Sequence, residues 1–428
     1  MKKYLERLPG ETEGIIHAVK QICARQGMSA YLVGGFVRDL LLGVKNLDLD
    51  IAVEGDGIKF AENLAELTRG KIIRHKRFGT ATIITPGGSS VFAGRKIDIA
   101  SARSESYPQA AHLPVTRPGS LKDDLYRRDF TINAMAISLS PGSSCELLDF
   151  FGGQADLKKK NIRVLHRLSF IDDPTRILRA VRFEQRFAFK IEPETLEYLK
   201  EAVKMKMLEK VQPQRTRDDL ILVLKEDKPI REIKRLQELA NFSFLSPRLS
   251  LAKKEFLLLN SIEKEINWFK KNFTRRRPLD TWLLYLMGLL DSLGAGQIRS
   301  ICKKFAFRKG DQKRILGVRE EAHALIKELS KNKVKPSRIY GLLEPLSYEA
   351  VIMLKAKYKD RLVQKRIADF FEVYNGMQIS VSGKDLQKLG ASPGPQYRKI
   401  FTAVLDARLN GAVKTRGDEM RLIKRLLG

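Results

Sequence analysis

Cysteine is scarce: Cys23, Cys145 and Cys302 are scattered through 428 residues. An odd number without regular spacing excludes a disulfide framework and a cysteine zinc site, and fits a reducing, cytoplasmic setting. No apolar run reaches the roughly 20 residues that crossing a bilayer requires. The opening "MKKYLERLPGETEG" has two lysines but no apolar h-region, so no signal peptide is expected. Short-period repeats and long low-complexity tracts are also missing. What is present is an ordinary hydrophobic content of 43% in a chain long enough for two to four domains.

Negative charge is in deficit. Lys and Arg number 79 against 50 Asp and Glu, a net +29. Residues 1–150 are nearly balanced, with 20 basic and 17 acidic side chains, which leaves 59 against 33 for the remainder. An excess of +26 confined to the C-terminal two-thirds points to a polyanionic partner, nucleic acid first. An acidic membrane surface is the weaker rival, because no polybasic block adjoins an amphipathic anchor.

Strand signals also run out along the chain. "AYLVGG", "LDIAVEG", "GKIIRHKRFGTATIIT" and "GRKIDIASAR" read as short strands, and "FAENLAELTRG" as a helix between them closed by Gly70. Beyond Leu147 helical patterns follow one another, among them "DDPTRILRAVRFEQRF" and "QPQRTRDDLILVLKE". The fold class expected is α+β: an α/β head of about 140 residues followed by a basic, all-helical remainder.

Within "YLVGGFVRDLLLGVKNLDLDIAV" (residues 31–53) a Gly-Gly turn and an Arg-Asp pair precede a D-x-D. Strand side chains alternate, so Asp48 and Asp50 are expected on one face. Two carboxylates that close repel unless a cation lies between them, and Mg²⁺ suits oxygen ligands beside phosphates. Asp98 in "RKIDIASAR" is the best third carboxylate for a two-metal clamp. Alone, a D-x-D reads more readily as an acidic turn at a strand end. Here Gly34 and Gly35 allow backbone N–H groups to approach a phosphate at a helix N-terminus. Arg38 can fork onto phosphate oxygens or brace Asp39 and the carboxylate strand.

These residues resemble motif A of the class II nucleotidyltransferases of the DNA polymerase β superfamily. "LYRRDFTINAMA" (125–136) resembles their motif B. "LLDFFGGQADLKKKNIRVL", with Asp149, Gly152 and Gly153, resembles motif C, and "DDPTRILRAVRF" (172–183) resembles motif D. The resemblance is tight over roughly 28–220, and "SGKDLQKLGASPGPQYRKI" resembles the tail of tRNA nucleotidyltransferases. It implies a polymerase-β-like head (1–140), a helical neck that recognises the base (141–225), a helical body (226–350) and a tRNA-binding tail (351–428).

The resemblance also implies roles. Asp129 would accept from a ribose 2′-OH, with Arg128 orienting it or reaching a phosphate, and Asn133 binding sugar or triphosphate. Pro174 suits a first helical turn, which places Asp173 near the cap and on one face with Arg176. Cytosine and adenine both offer an exocyclic amine beside an unprotonated ring nitrogen. Asp173 can accept from the amine and Arg176 can donate to the ring nitrogen, so the pair would select C and A without a nucleic-acid template. The competing reading is a capped helix with an i,i+3 salt bridge. Arg179 and Arg182 continue along the helix toward the incoming base or the primer. The family commonly has Glu at Asp172 and an acidic residue at Gln214, where Arg215 could still brace the base-reading pair. Between Asp98 and Arg127 a Pro-containing stretch reads as a long loop, the family's flexible loop for adding A, with Arg103 and Glu105 as levers.

The function expected is a Mg²⁺-dependent, two-ion nucleotidyltransferase that adds CMP, AMP or both from CTP and ATP to the 3′ end of tRNA. It would grip the acceptor and TΨC arm. A-only or CC-only addition are narrower versions. A bacterial poly(A) polymerase and a non-catalytic RNA-binding relic are the rivals.

Overall fold

The computed structural model describes residues 10–44, 48–87, 94, 96–140, 142–143, 145–317, 319 and 322–427. The chain divides into two units, Met1–Glu226 with Glu238–Ala240, and Asp227–Gln237 with Asn241–Gly428.

In the first unit, α1 (Gly10–Gln26), β1 (Ser29–Val33), α2 (Gly35–Leu42), β2 (Leu49–Glu54) and α3 (Gly57–Thr68) open the head. β3 (Lys71–His75), β4 (Thr80–Ile84), β5 (Lys96–Ser101), β8 (Ala136–Ser138) and β9 (Leu147–Leu148) complete a seven-stranded sheet ordered β3-β4-β5-β2-β1-β8-β9. Only β2 and β5 run parallel; the other pairs are antiparallel. Leu49, Ile51, Ala52 and Val53 bury one strand of this core, and Ile97 and Ile99 its neighbour. The apolar residues that fix this register also set Asp50 beside Asp98.

The Asp56 carboxylate starts α3 by accepting from the Ile58 and Lys59 amides at 3.0 Å. Its C-terminus differs from the sequence expectation. Arg69, at φ 53°, takes the left-handed turn. Gly70 is required by packing instead, because a Cβ there would lie 2.5 Å from Ile83 Cγ2 on β4.

The stretch after Asp98, read from the sequence as a loop, contains an antiparallel hairpin of β6 (Arg103–Ser106) and β7 (Val115–Pro118). β7 is exposed at every position, so no apolar alternation marks it. Arg103 and Glu105 hold β6 through polar contacts instead.

Helices then dominate: α4 (Leu121–Tyr126), α5 (Gly153–Lys159), α6 (Ser169–Asp172), α7 (Arg176–Phe187), α8 (Pro193–Lys204), α9 (Met207–Lys210) and α10 (Pro213–Leu224). A two-stranded parallel pair, β10 (Asn161–Ile162) and β11 (Lys190–Ile191), is interposed. Asp149 caps α5 by accepting from the Gly153 and Gln154 amides at 2.8 and 2.9 Å.

Among its described residues the second unit is built of helices joined by turns, with no strand. Phe269, Phe273, Tyr348 and Phe371 pack ring against ring in its core. There Lys355 makes a 2.6 Å ion pair with Glu265 and lies over the Trp268 ring. A separate cluster of Val381, Leu386, Ile400, Val404 and Ile423 forms a small core near the C-terminus. Among the described residues no helix is long and apolar enough to cross a membrane.

Candidate active site

A cleft of about 710 Å³ in the first unit is lined by Gly34, Gly35, Asp50, Asp129, Asp173 and Arg176, with further residues of the hairpin, α7 and α10. Residues from Gly34 to Asp219 therefore face one space.

The carboxylate end lies on the sheet. Asp50 and Asp98 are directly paired across β2 and β5. Asp48 precedes β2 and is exposed, so it is not a strand residue as the alternation suggests. Burial, reinforced by the charges of Asp98 and Asp48, pushes the Asp50 carboxyl up to about 6 despite Arg128. Asp98 is engaged by Lys96 Nζ at 2.5 Å and Thr82 Oγ1 at 2.6 Å. Among the described residues no three carboxylate, histidine or cysteine side chains converge on one ion position as they stand. The chemistry nonetheless fits a divalent cation: an all-oxygen set in which burial, with the charges of Asp98 and Asp48 behind it, raises Asp50, and which already draws in the Lys96 ammonium.

Gly34 has φ 71°, and a Cβ there would stand 2.5 Å from Arg128 Nη1 and 3.5 Å from Asp50 Oδ2. Glycine thus lets Arg128 lie against the turn beside the carboxylate strand. Asp124 holds Arg128 at 3.0 Å, so Arg128 does not orient Asp129. That task belongs to Arg179, whose Nε and Nη2 donate to Asp129 Oδ2 at 2.9 and 2.6 Å. Asn133 Nδ2 donates to Asp129 Oδ1 at 2.8 Å. Burial alone would push Asp129 up, but Arg179 and Asn133 hold it at about 2.

Arg38 lines the cleft but is largely covered. It is 5% exposed, donates to Asp39 at 2.8 Å and Asn133 Oδ1 at 2.6 Å, and lies over the Phe183 and Phe187 rings. These contacts brace Asp39, as one of its two expected roles has it, and also Asn133.

Asp173 and Arg176 share the cleft but do not pair with each other. Asp173 Oδ1 accepts from the Thr175 amide and hydroxyl, as a cap does, at 3.2 and 2.7 Å. Its Oδ2 accepts from Arg215 Nη2 at 2.7 Å. Arg176 donates to Ser169 Oγ and to the Arg127 carbonyl. The i,i+3 salt bridge is therefore replaced by two separate anchorages, because Pro174 and Thr175 turn the chain before α7 begins. Arg182 is tied to Glu226 at 2.5 Å.

Glu105 is a hub: it accepts from Arg103 at 3.0 Å, Arg127 at 3.2 Å and Tyr107 at 3.1 Å. Sequence reasoning missed Tyr107, Arg127, Thr175, Ser169 and Asp219. All but Ser169 line the cleft. Arg128 Nε and Arg215 Nη1 are buried without a hydrogen-bond partner, leaving cationic donors for a ligand.

A mixed sheet carrying paired aspartates beside a cationic, nucleotide-sized cleft defines a nucleotidyltransferase head, and residues 30–163 match the Poly A polymerase head domain family. The chain is 38% identical over 424 residues to an A-adding tRNA nucleotidyltransferase of Geobacter sulfurreducens, covering 98% of this chain and 47% of that one. With an A-adding tRNA nucleotidyltransferase of Halalkalibacterium halodurans it shares 32% identity over 419 residues, covering 96% and 91%. The solved Thermotoga maritima CCA-adding enzyme complexed with tRNA superposes with a TM-score of 0.71 at 33% identity, covering 100% and 98%. The chain belongs to the tRNA nucleotidyltransferase family, although it spans only about half the length of the Geobacter relative. Enzymes of this family generally use a divalent metal.

Proposed function

We propose that this protein adds AMP, and CMP where its tRNA lacks it, to the 3′ end of tRNA to build or repair the terminal CCA, in the cytoplasm. The 3′-hydroxyl of the tRNA attacks the α-phosphorus of ATP or CTP, and pyrophosphate leaves. The observation that carries this reading is the meeting of Asp50, Asp129 and the Asp173–Arg176 pair in one cleft.

In this reading Asp48, Asp50 and Asp98 hold Mg²⁺, as two ions. Bound there, Mg²⁺ supplies charge neutralisation on the triphosphate and acidifies the attacking hydroxyl. The chain's own residues position the reactants. The Gly34–Gly35 turn and Arg128 receive phosphate, and Arg38 fixes Asn133 for the sugar. Asp129, kept ionised by Arg179, accepts from the 2′-OH. Asp173 accepts from the exocyclic amine of C or A and Arg176 donates to the ring nitrogen. Uracil and guanine present a carbonyl to the carboxylate and an N–H to the guanidinium, which both repel. Arg179 and Arg182 flank the base, and Arg103 with Glu105 forms the lever of the hairpin. In this reading the head ends at about residue 140, the neck at 225 and the body at 350, with the tail on the TΨC arm.

The test uses three tRNAs, lacking CCA, CA or only the final A, each incubated with single nucleotides. Addition of A to the last tRNA is expected, and the other two show how much of CC the enzyme supplies. Asp50→Ala should abolish addition while tRNA binding persists. Long untemplated poly(A) tails, or near-normal turnover in Asp50→Ala, would sink the reading.

A further inference from the structure

A buried guanidinium needs acceptors, and most cleft arginines find carboxylates. Arg38 has Asp39, Arg179 has Asp129, Arg182 has Glu226 and Arg215 has Asp173. Arg176 is different. It is 4% exposed, and its hydrogen-bond partners are two neutral oxygens, Ser169 Oγ at 2.5 Å from Nη1 and the Arg127 carbonyl at 2.7 Å from Nη2, while Asp129 and Asp172 act on it through space without an ion pair. Neutral acceptors fix a guanidinium without cancelling its charge, so the charge stays available to the lone pair of a base ring nitrogen. Each terminal nitrogen also keeps a second N–H.

Ser169 does more than hold one side of this group. It is fully buried at the start of α6, and its backbone carbonyl accepts from the Asp173 amide at 3.2 Å. One residue therefore touches both members of the base-reading pair, Arg176 through its hydroxyl and Asp173 through its backbone. We propose that Ser169 is a positioning residue that sets the orientation of Arg176 toward the nucleobase and so determines nucleotide selectivity. This rests on the assignment of Asp173 and Arg176 to the base edge. A hydroxyl is the group that suits the place: a methyl group would leave Nη1 without its acceptor and free the fork to rotate, and a carboxylate would neutralise it.

The test compares Ser169→Ala, Ser169→Cys and Ser169→Thr in the full chain. Cysteine keeps the shape but is a weak acceptor, and threonine keeps the hydroxyl. Two readouts are taken: calorimetric binding of ATP, CTP, GTP and UTP, and kcat and KM for each nucleotide on a tRNA lacking the final A. In the Ala and Cys variants the preference for ATP over GTP should narrow about tenfold, the scale of one lost charge-assisted hydrogen bond. The loss should fall mainly on KM for ATP, and Thr should preserve the preference. If the Ala variant does not fold, the contrast between Cys and Thr carries the test. An unchanged ratio in the Cys variant, or equal losses for all four nucleotides, would overturn the proposal. If the wild type transfers nothing to tRNA, the functional reading fails, and the binding ratios still decide the role of Ser169.

Discussion

Asp129 is a tightly held carboxylate of the cleft. It is 7% exposed, and Arg179 and Asn133 surround it with donors. Its folded value of about 2 lies below the usual aspartate value, so the unfolded chain binds its proton first as pH falls. The stability it confers is fully present above about pH 4 and is lost as pH drops through about 2. Asp129→Asn should therefore cost about 2–3 kcal/mol at pH 7, by urea denaturation, and the difference should shrink by roughly half at pH 3. A gap that stays constant from pH 7 to pH 3 would show that ionisation is not what stabilises this site. At this scale the sequence conveyed which residues matter better than what they touch. Asp50, Asp129 and Asp173 stand out by motif. The partners of the last two, Arg179 for Asp129 and Arg215 for Asp173, lie 50 and 42 residues away; the resemblance anticipated Arg215, and only the fold pairs Arg179 with Asp129.

Elements that carry an apolar pattern were legible, and those that do not were hidden. β1, β2 and β5 follow from buried Leu, Ile and Val, whereas the β6–β7 hairpin has polar strands and reads as loop. The turn between β1 and α2 was visible as Gly-Gly, but not the reason for it. Gly34 combines a positive φ with the approach of Arg128. Gly34→Ala should cost about 1–3 kcal/mol in stability through the backbone alone, because φ 71° with ψ −137° is a conformation that glycine adopts and side-chain-bearing residues avoid. The Arg128 guanidinium is the movable end of a side chain, so it would swing away rather than unfold the turn. The larger effect should be on triphosphate affinity, with ATP binding weakened about tenfold or more while the melting temperature falls by only a few degrees. Wild-type ATP affinity in a folded Gly34→Ala protein would separate Arg128 from the phosphates.

At the scale of the whole molecule, charge and chemistry are segregated. The cleft belongs wholly to the first unit, while residues 227–428 hold 42 Lys and Arg against 21 Asp and Glu. Such a surface meets phosphate, and contacts to phosphate read shape and backbone rather than sequence. Affinity for tRNA should then fall steeply with salt and vary little with the anticodon. The end of the second unit has its own small core around Leu386, Val404 and Ile423, so its removal leaves the cleft residues untouched. Deleting residues 377–428 is expected to weaken tRNA binding at least tenfold at about 0.1 M salt and to reduce the salt slope, as fewer counterions are released. ATP binding should change less than twofold, because every group proposed to hold it lies before residue 227. Filter binding of tRNA and calorimetry of ATP on the same two proteins separate these effects. Equal tRNA affinity for both chains at matched salt would assign the basic surface to another partner.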